Sequence, residues 1–226
     1  MSMTIPDKTQ CPDCGAEIEF TFWESLNSSL DPDEARKLRR HEFGYVTCPK
    51  CGKRHLLLYP ILYHDMDAHA MVRFMPAASR AELAEGIKGE QKQMQQMQSM
   101  FNMPKTRLRA VADYEDLCEK ARIFFFKLDD RTIELMKALM RMGLQQAHPE
   151  LKIEDVRFVS DNEEKVPGFV FYNNENECVA EIQFNQEVYD ETLQSLKQHK
   201  DDEALIDRAW AIRFLDEMES SETDPF

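Results

Sequence analysis

Cys11-Pro12-Asp13-Cys14-Gly15 and Cys48-Pro49-Lys50-Cys51-Gly52 are two copies of one pentapeptide pattern, and they hold four of the six cysteines of the chain. A Cys-x-x-Cys turn brings both sulfurs to the same side. Pro12 and Pro49 preset φ at the first turn position. Gly15 and Gly52 follow the second cysteine, where the chain turns back with φ > 0. Two such turns supply the four thiolates of one tetrahedral Zn²⁺ site, so Cys11, Cys14, Cys48 and Cys51 are the expected metal ligands. A site saturated by protein sulfur has no open position for water and is expected to be structural. The rival reading is a thioredoxin-like redox pair, but that motif is normally single and lies in a βαβ unit. A disulfide framework is not expected, because residues 1–10 are short and polar and do not resemble a secretory signal.

The gap between Cys14 and Cys48 exceeds the roughly 15–20 residues of a compact zinc ribbon. It contains Asp31-Pro32-Asp33-Glu34, a helix start with Asp31 as N-cap, Pro32 at N1 and two acids at the positive helix end. The predicted helix runs through residues 35–41. The N-terminal part therefore reads as a zinc ribbon with a helical insertion between its knuckles.

The chain has 226 residues, 42% of them hydrophobic, which is enough for a substantial core in one or two domains. Its net charge of −14 argues against a general nucleic-acid binder. The charge is uneven: residues 1–60 carry 8 Lys/Arg against 9 Asp/Glu, and residues 61–226 carry 20 against 33. In the near-neutral part, Arg36, Lys37, Arg39 and Arg40 lie on the insertion helix, while Lys50, Lys53 and Arg54 flank the second knuckle. They form either a local basic face for nucleic acid or an ordinary solvated surface. No run of 18 apolar residues predicts a membrane span. Zinc and reduced cysteines fit a cytoplasmic protein.

Further along, Ile18, Phe20 and Phe22 alternate with polar residues and predict a strand over residues 17–23. Leu56-Leu57-Leu58-Tyr59 reads as a central strand limited by Pro60, and residues 70–75 as another strand ended by Pro76. Ser79-Arg80-Ala81-Glu82 is a capping box that opens a Gln/Met-rich helix reaching about Phe101. Leu108, Ala110 and Ala112 suggest a short strand. Asp113 and Asp129 each cap a helix. Three strand-like runs follow, around residues 156–160, 169–172 and 178–184, and predict an antiparallel meander with a turn at Asn173, Asn174 and Asn176. Asn185 starts another helix, and the last one, over residues 201–218, carries Leu205, Ile206, Ala209, Trp210, Ile212, Phe214 and Leu215. The fold class is α+β: a zinc-ribbon β-domain over residues 1–76, a helical connector over 77–104, an α+β domain over 105–218 and an acidic tail over 219–226.

The paired knuckles at this wide spacing resemble the bacterial CpXC family. So do Tyr59-Pro60, Leu62-Tyr63-His64-Asp65-Met66, Leu108-Arg109, Val111, Glu119-Lys120 and Leu128-Asp129-Asp130-Arg131. The resemblance covers most of residues 10–200. It implies four metal-binding cysteines and a cytosolic bacterial protein, and brings no established activity. The Gln/Met segment (residues 91–103) and the last helix depart from the family pattern.

Other residues carry weaker signals. His64, Asp65, Asp67 and His69 cluster near one turn, as a hard-metal or acid/base site or as a hairpin turn capped by Asp65; the hairpin reading is preferred. Met94, Met97, Met100 and Met103 do not make one stripe, because steps of three slip around an α-helix. Met94, Met97 and Phe101 share a face that packs internally or between subunits. Cys118 and Cys178 are expected in the core. Arg131 is expected to pair with Glu134. The function expected from this pattern is a non-enzymatic, zinc-stabilised protein-interaction module, its partner another protein or a second copy. A nucleic-acid-binding ribbon is the alternative, and an enzyme using His64 and Asp65 ranks last.

Overall fold

The computed structural model describes residues 2–102, 104–160, 167–197 and 199–222. The chain is mixed α+β and divides into two compact units, Met1–Ala121 and Arg122–Phe226.

In the first unit, β1 (Met3–Gln10) and β2 (Glu17–Asn27) form a long antiparallel hairpin. Helix α1 (Pro32–Arg39) follows, and then a small hairpin of β3 (Tyr45–Thr47) and β4 (Arg54–Leu56). Strands β5 (Ile61–Asp65) and β6 (Ala70–Phe74) form a second antiparallel pair. Helix α2 (Arg80–Phe101) then leads to β7 (Arg107–Val111) and α3 (Tyr114–Phe125). The main sheet has the order β1-β2-β5-β6-β7. Its β2–β5 and β6–β7 pairs are parallel. Parallel neighbours need a crossover of a dozen or more residues. The segment carrying α1 and the small hairpin is one such crossover, and α2 is the other.

The strands differ from the expected reading in three places. Residues 107–111, read as a strand without a stated neighbour, are the edge strand beside β6, and the Gln/Met helix links two strands of one sheet. Residues 3–10, read as merely polar, form β1, which is solvent-exposed along almost its whole length. The apolar run at residues 56–59 is not a central strand, since β4 ends at Leu56 and the buried strand is β5, beyond Pro60. There Ile61, Tyr63 and Asp65 turn inward.

Local signals explain the helix ends. Ser79 and Glu82 complete the capping box reciprocally. Asp31 occupies the N-cap position of α1 without a side-chain cap bond, and Pro32 sets the first turn. Helix α1 buries Ala35 and Leu38 completely.

The second unit contains α4 (Asp130–Ala147), the meander β8 (Ile153–Val159), β9 (Gly168–Asn173) and β10 (Cys178–Gln183), then α5 (Gln186–Ser195) and α6 (Arg208–Glu222). The strand order β10-β9-β8 is antiparallel throughout. The Asn173 side chain accepts from the Glu175 and Glu177 N–H groups and shapes the β9–β10 turn. Asp129 caps α4 through the Arg131 N–H, and Asn185 caps α5. The Arg131 guanidinium folds back onto Asp129, 2.7 Å away, and Glu134 takes Lys137. Leu205 and Ile206 are buried but precede α6. Residues 223–226 of the expected tail lie outside the described residues.

Phe158, at the end of the alternating strand β8, is fully buried against Phe169 and Phe184, with ring centroids 5.6 and 6.1 Å away. Phe158→Ala is expected to lower stability by about 3–5 kcal/mol, as cavity-forming aromatic truncations do. Urea denaturation checks this, and a loss under about 1 kcal/mol would mean that the ring lies outside a packed core.

Candidate metal centre

Each knuckle is the turn of a hairpin. The first joins β1 to β2 and the second joins β3 to β4. The two turns carry the same backbone bonds. Cys11 N donates to Ala16 O (2.8 Å) and Gly15 N to Cys11 O (2.9 Å), while Cys48 N donates to Lys53 O (2.9 Å) and Gly52 N to Cys48 O (3.0 Å). Gly15 and Gly52 have φ of +69° and +73°. No atom lies within 4 Å of a Cβ built at either position, so glycine is favoured there by backbone conformation and not by crowding.

The four sulfurs lie within 4.8 Å of one another, and this cluster could hold a metal ion. Cys11 Sγ is 3.7 Å from Cys51 Sγ, and Cys14 Sγ is 3.6 Å from Cys48 Sγ. Each of these short contacts joins one knuckle to the other. Around the sulfurs, Ile18 is buried with Cys11 and Cys48, and Val46 packs against them.

Backbone N–H groups are aimed at the sulfurs. The Cys51 and Lys50 N–H groups pull the Cys48 thiol down to about 6, against the effect of burial. At Cys51 the Lys53 N–H acts in the same sense, but burial and the neighbouring sulfurs outweigh it and push the thiol up to about 12. Four touching thiols resist full ionisation together, so a cation bound among them must displace protons.

The structure adds two groups that the knuckle pattern did not single out for this role. His55 Nε2 lies 3.3 Å from Cys11 Sγ and 3.6 Å from Asp13 Oδ2. Cys11, Asp13 and His55 form a second set with ligand-like spacing, but it shares Cys11 with the first. Asp13 also takes the Lys53 ammonium, so the first knuckle's acid holds two groups from the second. The only local signal for His55 was its place just beyond the second knuckle.

A family model described as CpXC protein matches residues 9–137. The chain belongs to the CpXC family. The match takes in both knuckles and the whole five-stranded sheet apart from most of β1. It ends within α4, short of the expected residue 200, so the meander and the last two helices lie beyond it. No curated protein and no solved structure matches this CpXC chain.

The other candidates fall in different places. Asp65 is buried, accepting from the Ala68 N–H (3.0 Å) and the Tyr63 hydroxyl (3.1 Å), which makes it the cap of the β5–β6 turn. His64 is half-buried, and loss of hydration holds its imidazole below the ordinary range. Asp67 and His69 are exposed. Among the basic residues, Arg36 pairs with Asp33, Lys37 with Glu34 and Lys53 with Asp13; Arg54 lies 3.9 Å over the Tyr45 ring, and Arg39 is buried. Met97 and Phe101 point outward from α2, at 54% and 63% exposure, so they are not packed internally. Met103 lies outside the described residues. Cys118 is buried, whereas Cys178 is exposed, a correction to its expected core position.

A thiol reagent therefore distinguishes the cysteines. In the metal-loaded protein Cys178 is the thiol expected to be open to the reagent, and a chelator should add the four knuckle thiols. Burial of the sulfur and the Glu181 carboxylate raise the Cys178 thiol above its ordinary 9.0. Its rate should therefore be low near neutral pH and keep climbing above pH 9. Five reactive thiols before chelation would show that the cluster holds no metal.

Proposed function

We propose that this CpXC protein is a non-enzymatic, zinc-stabilised protein-interaction module of the bacterial cytosol, its zinc structural. One observation carries the metal reading. Zinc–sulfur bonds of about 2.3 Å in a tetrahedron place sulfurs about 3.8 Å apart, and the inter-knuckle separations are 3.6 and 3.7 Å. Cys11, Cys14, Cys48 and Cys51 would hold the ion. Four thiolates on a divalent ion leave a net charge of −2, which Lys53 and His55 lie close enough to offset. A closed sulfur shell supplies no activated water, so what the ion contributes is folding free energy.

The interaction reading is supported by the same geometry. The small hairpin has strands of three residues, too short to persist without support. Fixing it against the longer hairpin shapes a surface and not a catalytic pocket. The partner is another protein, with self-association as the simplest case. The acidic balance of the chain, a net charge of −14, weighs against nucleic acid.

Native mass spectrometry of protein purified without added metal tests the reading. One zinc per chain is expected, lost in Cys11→Ser. Chelation should remove ordered signals of the two knuckle hairpins and leave those of the meander unit. Iron in the site, or a mass lower by two protons per Cys-x-x-Cys pair, would overturn the zinc assignment. A monomer that recovers no stoichiometric protein partner from native lysate would overturn the interaction reading.

A further inference from the structure

Between β2 and β3 lies a cleft of about 360 Å³, at the small end of ligand-sized pockets. Its two lips are strand edges. Pro6 faces Thr21 in the β1–β2 ladder and has no N–H to give, so that pair sits at a position without ladder bonds. The backbone groups of Glu19 and Thr21 therefore point away from β1, towards the cleft. Trp23 shares their parity, and its N–H donates to the Tyr59 hydroxyl, off the β1 side. On the other lip, Leu57 N to Gly44 O and Cys48 N to Lys53 O fix the bonded positions of the β3–β4 ladder. Tyr45 and Thr47 fall between them and also point outward, into the same cleft. Among the described residues, no ladder or backbone bond joins β2 to β3.

We propose that this cleft binds an extended segment of a partner protein carrying Lys or Arg, by adding a strand to one or both edges. The inference rests on the interaction reading above and names its surface. Unpaired N–H and C=O groups on both lips call for a polypeptide backbone, since a strand supplies both kinds of partner in register. The aromatic rings of Trp23, Phe43 and Tyr59 line the cleft for its side chains. Charge selects a basic segment. Glu19 and Glu34 line the cleft, and their lysine partners Lys8 and Lys37 form exposed surface pairs that are weak and exchangeable. The Tyr45 ring at the rim already stacks a guanidinium, that of Arg54. The outer edge of β1 is guarded by contrast: Pro6 and Lys8 turn their backbone to it, in the manner of edges that avoid pairing. Residues 17–24, on the cleft side, contain neither proline nor lysine.

The test is amide NMR of the ¹⁵N-labelled, zinc-loaded full chain titrated with an acetylated, amidated (Val-Lys)₃ peptide. Saturable shifts at Glu19, Thr21, Tyr45 and Thr47 are expected. A (Val-Glu)₃ peptide, and a (Val-Lys)₃ peptide N-methylated at alternate residues, should bind at least about tenfold more weakly. Glu19→Lys and Glu34→Gln, both at surface positions, should each weaken (Val-Lys)₃ while leaving the remaining spectrum unchanged. Unmoved cleft amides at millimolar peptide would overturn the proposal. So would equal binding of the N-methylated peptide, or shifts that follow protein concentration without peptide, which would assign the edge to a second copy. A stoichiometric partner captured by a chain whose cleft amides stay unmoved would overturn the cleft and leave the interaction reading standing.

Discussion

Four sulfurs must meet across two hairpin tips, and the N-terminal third of the chain is organised by that requirement. The β1 strand is exposed almost throughout, and β3 and β4 are three residues each. Such hairpins bury little apolar surface and are marginal alone. Their shared core is small, with Ile18, Ala16 and Val46 around the cysteines. An ion held by four thiolates can substitute for the missing core, because its binding free energy is available only to a chain that brings both knuckles together.

The same constraint leaves the cleft. At the tips, the knuckles hold the start of β2 beside the end of β3. At the other end of β2, Ser25, Leu26 and Asn27 pair with β5 in the main sheet. Residues 17–24 are thus tied to the sulfur cluster at one end and to the sheet at the other, with no ladder between β2 and β3 along the way. Neither tether can change alone. An unpaired edge in this position follows from the topology, in a protein whose outer edge, β1, carries the usual protection of proline and charge.

What the sequence revealed depended on range. The knuckles, the capping box at Ser79 and the caps at Asp129 and Asn185 are local patterns, and each appears where its residues predict it. Strand β1 was missed because an edge strand exposed on both faces has no alternation to detect. The placement of β7 was missed because a parallel pair is made across α2, more than thirty residues away in the chain, with no local sign of its neighbour. Cys178 misled because alternation in β10 suggests one buried face, yet β10 is the meander's edge and Cys178 sits at its open end. Arg131 grips the cap residue Asp129 through two nitrogens, a contact between residues two apart that the spacing rules of a helix do not suggest.

His55 and Asp13 show how charge and geometry divide the work at the centre. Asp13 stands in the first knuckle, and Lys53 and His55 come from the second, so their contacts cross between the tips in the same sense as the short sulfur pairs. Lys53 is 61% exposed, and an ion pair so open to water is screened and contributes little to stability. Its value lies in orientation: it favours the one register of the two turns in which Cys11 faces Cys51 and Cys14 faces Cys48. His55 is different, being 16% exposed with Nε2 against Cys11 Sγ. With that nitrogen protonated it donates to the sulfur, as the knuckle N–H groups do for Cys48, and adds a side-chain partner to a buried sulfur. A four-thiolate site in an already acidic protein needs such donors. The chain places His55, whose ring meets Cys11 Sγ, and Lys53, whose ammonium meets Asp13, immediately after the second knuckle, where the start of β4 carries them back to the first.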